Sequence, residues 1–441
     1  MSFSELTQTI LSASAVLEPH LSSTDPFPLP SSARQARSTL LTAVHSLQAL
    51  LVPPQEAILH HTILLIFDLA CLRWLAYFDI FTAVPLDQSI SFEDLAREQN
   101  VPLDTLTRII RYASTNGWFA EDGPFHVRHS TLSQHVATSK VAQDQLKYQL
   151  EINFKASFHL VEATKLETAS KSTNLDHSLP NQPPPSSAPP TPTKKSPTPF
   201  NLAFSTPHNS ATWASLSPVW SPIYTNLMTS FLHNPLFSAS HLLTSYPWSS
   251  LPPASLVLDL GGNTGFLAIA LARAFPHLQL LVQDLPLPVA RGRETLPEDV
   301  KGRVLFEAQD FLEENEARDV QVVVVRFVLH DLPDGEARKV LGNLRAVVKA
   351  EGRVVVWDVV LDDLKGDGKR EAGWLEGRVK RNMDVLMMTM FGARERKEGE
   401  WRILAEGAGW EVDRVVRMEG CAASLLVLRI KQGEDSINGQ A

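Results

Sequence analysis

The sequence predicts an α/β protein, with a doubly wound parallel sheet in the C-terminal half preceded by a helical domain of winged-helix pattern. Two patterns and one break in composition predict it. Downstream of Leu251, apolar strand-like segments alternate with amphipathic helical ones; between Ser91 and Val127 the chain reads helix, turn, helix, hairpin; and from Ser170 to Pro199 it is nearly all Ser, Thr, Pro and Lys. Continuous apolar strands separated by helices imply a sheet covered on both faces. The Pro/Ser-rich stretch cannot bury enough apolar surface to offset its ordering entropy. The expected division is a helical, winged-helix domain over 1–165, a disordered insertion over 166–200, the sheet domain over 201–432 and a flexible tail over 433–441.

With 441 residues, 44% of them hydrophobic, the chain is long enough for two or three domains with a large core. The formal charge of −9 is spread along it and offers no basic face to a polyanion. Cys71 and Cys421 are far apart and neither lies in a Cys/His cluster, so no disulfide framework or metal site is expected, and the compartment reads as reducing and cytoplasmic. Glu5 and the lack of a basic segment before the first apolar stretch argue against a secretory signal. The most apolar window, 57–81, contains His60, His61, Asp68 and Arg73, too many polar groups for a membrane-spanning helix of ~20 residues. It reads as a buried amphipathic helix, and no membrane is an expected partner.

Ser91-Phe-Glu-Asp94 is a helix start of capping-box type, and Leu103, Leu106, Ile109, Ile110 and Ala113 give a second helix, closed by Gly117. Trp118–Ala120, the turn pair Asp122-Gly123 and Phe125–Val127 complete a hairpin. A winged helix suggests DNA, but from Ser91 to Lys140 five Lys or Arg face six acidic residues. DNA affinity comes largely from neutralising phosphates, so nucleic acid is not an expected partner, and packing or dimerisation is the preferred role.

In the C-terminal half, strands are expected at Ser255–Leu260, Leu278–Gln283, Val304–Ala308, Val320–Phe327 and Arg353–Val359, with helices at Phe266–Ala274 and Glu336–Val348. Ligands of such sheets sit at the carboxyl ends of the strands. The first strand ends in Asp259-Leu-Gly-Gly-Asn-Thr-Gly265, where Gly261, Gly262 and Gly265 permit a tight turn and close approach of a ligand. Counted from Gly261, a dinucleotide fingerprint would need glycine where Asn263 and Phe266 stand, and the loop lacks the GK[ST] ending of a Walker A motif. Asp284 ends the second strand, where a carboxylate can accept from ribose hydroxyls; Asp310 and Phe311 end the third, an acid and a ring suited to adenine. Together they describe an adenosine site with no pyrophosphate to hold, which S-adenosylmethionine fits. The plainer readings are helix caps for Asp259 and Asp310, and core packing for Phe311. The fourth strand ends in Arg326-Phe-Val-Leu-His330-Asp331, which points His330 into the same crevice. A neutral imidazole there, with an ordinary pKa of about 6.5, can take a proton from a phenol of pKa about 10.

These motifs, DLGGNTG (259–265), VQDLP (282–286), AQDFL (308–312), RFVLHDL (326–332) and GARER (392–396), resemble the plant- and fungal-type small-molecule O-methyltransferase family over roughly Glu56 to Arg429. The resemblance implies a Rossmann-like methyltransferase domain behind a winged-helix dimerisation domain, S-adenosylmethionine as cofactor, a small hydroxylated aromatic substrate and a homodimer. It implies that Gly261, Asp284, Asp310 and Phe311 contact the cofactor, and that Arg326 stands where the family usually has a lysine near the adenine. Asn263 stands where glycine is common. It further implies that Asp358, normally glutamate, and Glu395 flank His330 as orienting carboxylates; the plainer readings are a strand-end role for Asp358 and a surface ion-pair cluster for Glu395. Trp220–Met228 resembles the helix over the substrate, making Tyr224 and Met228 clamps on an aromatic ring, and Asn382, Met383, Asp384, Met387 and Met388 line a later helix at the pocket; for both sets the alternative is core packing. The competing functions are a winged-helix regulator with an inactive methyltransferase-like domain, against which His330 argues, and methyl transfer to nitrogen or carbon, which gains less from a histidine base.

Overall fold

β-Branched residues favour extended backbone, and the densest run of them, Val320–Arg326, is the central strand of a seven-stranded sheet. The computed structural model describes residues 1–21, 29–175, 196–362, 373–418 and 420–431. In chain order the sheet strands are β1 (Leu256–Leu260), β2 (Gln279–Asp284), β3 (Val304–Ala308), β4 (Val320–Arg326), β5 (Val348–Asp358), β6 (Trp410–Arg417) and β7 (Ser424–Ile430). They lie in the order β6-β7-β5-β4-β1-β2-β3. The first five are mutually parallel, whereas β7 runs antiparallel to β5 and β6 antiparallel to β7. Chain direction across the sheet reverses between β1 and β4, which opens a crevice at the carboxyl ends of those two strands. The five parallel strands stand within a few residues of their expected places, and β5 begins earlier than expected, at Val348. The partial apolar alternation in 410–417 and the continuous apolar run in 424–430 are the signals for β6 and β7, which had no counterpart in the expected set.

Contact clustering separates two compact units. One comprises Ala57–Leu227 with Met388–Gly392, and the other Met1–Glu56, Met228–Met387 and Ala393–Ala441. The first carries the winged helix. Phe92–Glu98 and Leu103–Thr115 are its helices, and Ile90–Ser91, His126–His129 and Phe119–Glu121 form its three-stranded sheet. Ser91 caps as expected, its Oγ accepting from the Asp94 N–H at 3.0 Å. Leu75, Ile80, Leu95, Leu106, Ile110, Phe119 and Val127 fill its core.

Three expectations need correcting. The helices Phe3–Leu21 and Ser31–Leu51 cluster with the sheet unit and not with the winged helix, so the expected boundary at 165 does not describe them. Within 166–200, the helix Leu160–Leu175 and the helix opening at Pro199 occupy the ends, while 176–195, like the whole expected tail over 433–441, lies outside the described residues. Finally, the apolar window is not buried. Its helix, Pro54–Tyr77, is long and apolar enough to cross a membrane by length and composition, and only 11% of its most apolar stretch is buried. Leu72 and Leu75 point inward, whereas Ile58, Ile63, Ile66 and Phe67 are more than half exposed.

The sheet unit's core packs Leu258, Val323, Val325, Leu341, Trp401, Trp410 and Leu426. Fully buried within the same unit is Arg396, whose guanidinium fixes the turn after β4. Its Nη1 donates to the Leu329 carbonyl (2.8 Å), Nη2 to the Leu332 carbonyl (2.7 Å) and Nε to Asp334 Oδ1 (2.9 Å). A planar five-donor fork satisfies three separated acceptors at once, which a lysine cannot. Arg396→Met leaves two buried carbonyls without donors and should cost about 2–4 kcal/mol of stability, read as a lower midpoint in urea unfolding. An unchanged midpoint would show that this turn does not depend on the clamp.

Candidate active site

The turn after β1 is shaped by what its glycines lack. Gly261 has a φ of +69°, and a Cβ there would lie 2.6 Å from Val328 Cγ2; Gly265, at φ +81°, would place one 2.8 Å from the Phe306 ring. Larger residues are excluded by space as well as by backbone angle. Asn263 also adopts the left-handed conformation, at φ 52°, which asparagine tolerates, so it serves where glycine is common. Its N–H donates to Asp284 Oδ2 (2.8 Å) and the Leu285 N–H to Oδ1 (2.7 Å). Two backbone donors thus fix the Asp284 carboxylate at the end of β2, with further lone pairs left to accept from a ligand. Burial raises the Asp284 pKa.

Asp259, on β1, is buried, with its pKa pushed up to about 7 by burial, against the pull of Arg326. Its Oδ2, Thr264 Oγ1, and Arg326 Nε and Nη2 are buried atoms with no hydrogen-bond partner among the described residues. Buried polar groups are rarely left so, and a glycine-lined turn with unmet donors and acceptors suits the polar groups of S-adenosylmethionine. Asp310 is exposed and its Oδ1 accepts from the Leu312 N–H at 2.9 Å; Phe311 is half-buried against the core. The Arg326 guanidinium stands over two rings, its Cζ 4.5 Å from the centre of Phe327 and 5.0 Å from that of Trp357. Burial lowers its pKa to about 10, with Asp259 and Asp358 opposing the fall.

After β4 the chain passes through Phe327 at φ 50°, a rare conformation for a bulky residue, into the short turn Leu329–Asp331. Such strain persists where surroundings over-determine the backbone. Here the Phe327 ring stacks on His330 (5.2 Å) and on Trp357 (6.2 Å). His330 is 3% exposed, and its Nδ1–H donates to Glu395 Oε1 at 2.8 Å. Asp331 Oδ1 stands 3.4 Å from Nε2, which makes no hydrogen bond among the described residues. Glu395 is itself buried, held by its own N–H donating to Asp384 Oδ1 (3.0 Å) and by the pairing of Arg396–Lys397 with Val360–Leu361 just past β5. Glu395 is therefore no part of a surface ion-pair cluster; its neighbours Arg394 and Arg396 both reach Asp334 instead.

Burial opposes a charge on His330, but the carboxylates of Glu395, Asp358 and Asp331 outweigh it and lift the pKa to about 10. Burial also lifts Asp331 and Asp358 to about 7, with the imidazolium opposing. The three carboxylates thus favour the charged ring over the neutral imidazole expected from an ordinary pKa. Asp358 is fully buried with neither oxygen hydrogen-bonded among the described residues, so it acts on His330 through its field and not as an orienting contact.

Asp331 and Phe327 were not anticipated as site residues, although both flank the histidine in the RFVLHDL motif; Asp384, expected on the later helix at the pocket, holds Glu395. Of the later helix, Trp374–Phe391, Met383 and Met387 are buried, whereas Asn382 and Met388 face outward and do not line a pocket. Met228 is half-buried in the sheet unit; Tyr224 belongs to the winged-helix unit, with its ring 5.6 Å from Tyr148.

Residues 197–411 match a family model described as an O-methyltransferase domain. The chain is 31% identical over 416 residues to the O-methyltransferase VdtC of Byssochlamys spectabilis, covering 92% of this chain and 89% of that one. Among solved structures it resembles OxaC, with a TM-score of 0.73 at 19% identity over 97% of this chain and 99% of that one. It also resembles LepI in complex with S-adenosylmethionine, with a TM-score of 0.69 at 20% identity over 96% and 100%. The likeness to these two is one of fold. The identity to VdtC, the O-methyltransferase domain and the fit of the glycine turn assign the chain to the S-adenosylmethionine-dependent O-methyltransferase family, of which it is an enzyme.

Proposed function

We propose that the enzyme methylates a hydroxyl of a small aromatic secondary metabolite, with His330 as the general base. The observation that carries this reading is the buried imidazole at the carboxyl end of β4, with Nδ1 committed to Glu395 and Nε2 standing 3.4 Å from Asp331 Oδ1. Gly261, Gly262, Asp284, Asp310, Phe311 and Arg326 hold the cofactor, which when bound supplies a methyl group activated as a sulfonium. Glu395 fixes the tautomer so that Nε2 is the accepting atom. The resting imidazolium must first release its Nε2 proton, and Asp331, 3.4 Å away with a pKa near 7, is the nearest group able to take it. Neutral His330, with a conjugate-acid pKa near that of a phenol, then draws the hydroxyl proton as the oxygen becomes phenolate-like. Met387 and Met383, buried, and Met228, half-buried, offer thioether surfaces that suit a flat ring.

The reading includes a homodimer. Ile58, Ile63, Ile66 and Phe67 form an exposed apolar face on one helix, of the kind that marks an interaction surface. Sedimentation velocity at micromolar concentration should give a mass of two chains, and a single-chain mass would count against it.

His330→Ala should lower kcat on a panel of phenols by about 10²- to 10⁴-fold, while calorimetric affinity for S-adenosylmethionine stays within about twofold. Turnover undiminished would remove the base. Because the resting ring carries a proton that must leave, kcat/KM should rise with pH above neutrality. Glu395→Gln removes the carboxylate that most holds this proton, so the histidine pKa falls and the rising limb should move to lower pH. A limb that stays in place would assign it to another group.

A further inference from the structure

Within the sheet unit, the start of the helix Ser31–Leu51, the end of the helix Trp220–His233 and the short helix Ala239–Ser245 surround a cavity of about 340 Å³. That volume lies in the range that holds a small molecule. Four of its lining residues, Arg34, Arg37, His233 and His241, are basic, and two are the serines Ser238 and Ser240. None of the lining residues among those described is acidic. In a chain of net charge −9 this is a local concentration of positive charge against the balance of the sequence. Clefts lined by one sign of charge focus the potential and favour a ligand of the other sign.

Two of the basic groups are held in place with hydrogen-bonding capacity left over. Arg34 Nη1 donates to the Leu29 carbonyl at 2.7 Å, while its Nε is buried with no hydrogen-bond partner among the described residues. Buried polar groups are rarely left so. His241 is 6% exposed, and its Nε2 lies 2.9 Å from the Pro235 carbonyl oxygen. A carbonyl only accepts, so Nε2 carries the hydrogen and, in the neutral ring, Nδ1 keeps a lone pair. Burial lowers the His241 pKa, with the Pro235 carbonyl opposing and the Arg34 charge adding to the fall, which favours that neutral ring. Nδ1 itself makes no hydrogen bond among the described residues. Ser238 and Ser240 add two hydroxyls whose oxygens lie 3.0 Å apart.

This lining calls for several anionic acceptor oxygens, to meet the guanidinium and the hydroxyls, and for one donor, to meet Nδ1. A carboxylate or a sulfate ester has the acceptors but no proton to give. A singly protonated phosphate has both, and a phosphate monoester, whose second pKa is about 6, keeps that proton in part near neutrality. Leu29, Leu232 and Pro235 supply an apolar wall for the organic remainder. We propose that this cavity binds a small phosphate monoester, with Arg34 and the two serine hydroxyls donating to its oxygens and His241 Nδ1 accepting from its P–O–H. Bound there, the ligand joins the helix Ser31–Leu51 to the segment 235–241 and stabilises the fold by mass action.

Calorimetric titration of the full chain with phenyl phosphate, phenyl sulfate and inorganic phosphate, at about pH 6 and constant ionic strength, tests this. Phenyl phosphate should bind one to one with a Kd of about 0.1 mM or tighter. Phenyl sulfate should bind about tenfold more weakly for want of the proton, and inorganic phosphate about tenfold more weakly for want of the apolar part. Arg34→Gln removes the guanidinium, and Ser240→Asp sets an acid in the cavity; each should weaken phenyl phosphate by about tenfold or more. Affinity for S-adenosylmethionine within about twofold of wild type reports that a variant is folded. Arg34→Gln also loses the Leu29 contact, which Ser240→Asp leaves intact, so weakening in both traces to the charge of the cavity. No saturable heat with phenyl phosphate, or an affinity that neither variant moves, would overturn the site. Phenyl sulfate or inorganic phosphate binding as tightly as phenyl phosphate would overturn its assignment to a phosphate monoester.

Discussion

The contact between His330 and Glu395 is the constraint on which the catalytic half of this molecule depends. It joins residues 65 positions apart, both buried, and it places an imidazole among three acidic side chains inside a hydrophobic sheet unit. Burying ionised groups is unfavourable unless geometry and hydrogen bonds compensate. Several otherwise unremarked features supply that compensation. Asp384 receives the Glu395 backbone N–H, the strand extension at Val360–Leu361 pairs with Arg396–Lys397, and the Arg396 fork secures the carbonyls on either side of the histidine. The imidazole is therefore positioned by elements from three parts of the chain.

The same economy links base and cofactor turn. Arg326 ends β4, lies between the buried carboxylates of Asp259 and Asp358 in its electrostatics, and stacks over the aromatic pair that also contacts His330. Asp259 belongs to the strand that feeds the glycine turn, and Asp358 to the strand that faces the histidine. One guanidinium thus balances charge in both places. Its planar, weakly hydrated head tolerates such burial and stacking better than an ammonium would. The strained Phe327 backbone belongs to this arrangement, because its ring fills the space between the imidazole and Trp357.

The apolar helix Pro54–Tyr77 shows how composition can mislead about burial. Read as sequence, its leucines and isoleucines suggest a core element; folded, it presents most of them outward, and only Leu72 and Leu75 reach the interior. Periodicity identifies which residues share a face, but not whether another surface covers that face.

The parallel strands, the winged helix, the glycine turn and the histidine at a strand end were all legible in the sequence, because each follows from local rules: β-branched runs extend, Ser91 caps, glycine permits turns that other residues cannot. The two antiparallel strands β6 and β7 pair with each other across a short connection, but nothing local set them beside β5, and the helical hairpin at the start of the chain gave no sign of clustering with the sheet. What only the tertiary structure decided is the company each side chain keeps. Glu395 meets the imidazole and Asp358 does not; Asp331 joins the site and Asp384 holds Glu395; and the histidine pKa rises because three acids converge on it. Sequence spacing sets what a residue can form with its neighbours along the chain, whereas protonation and orientation depend on distances and desolvation that exist only once distant segments pack together.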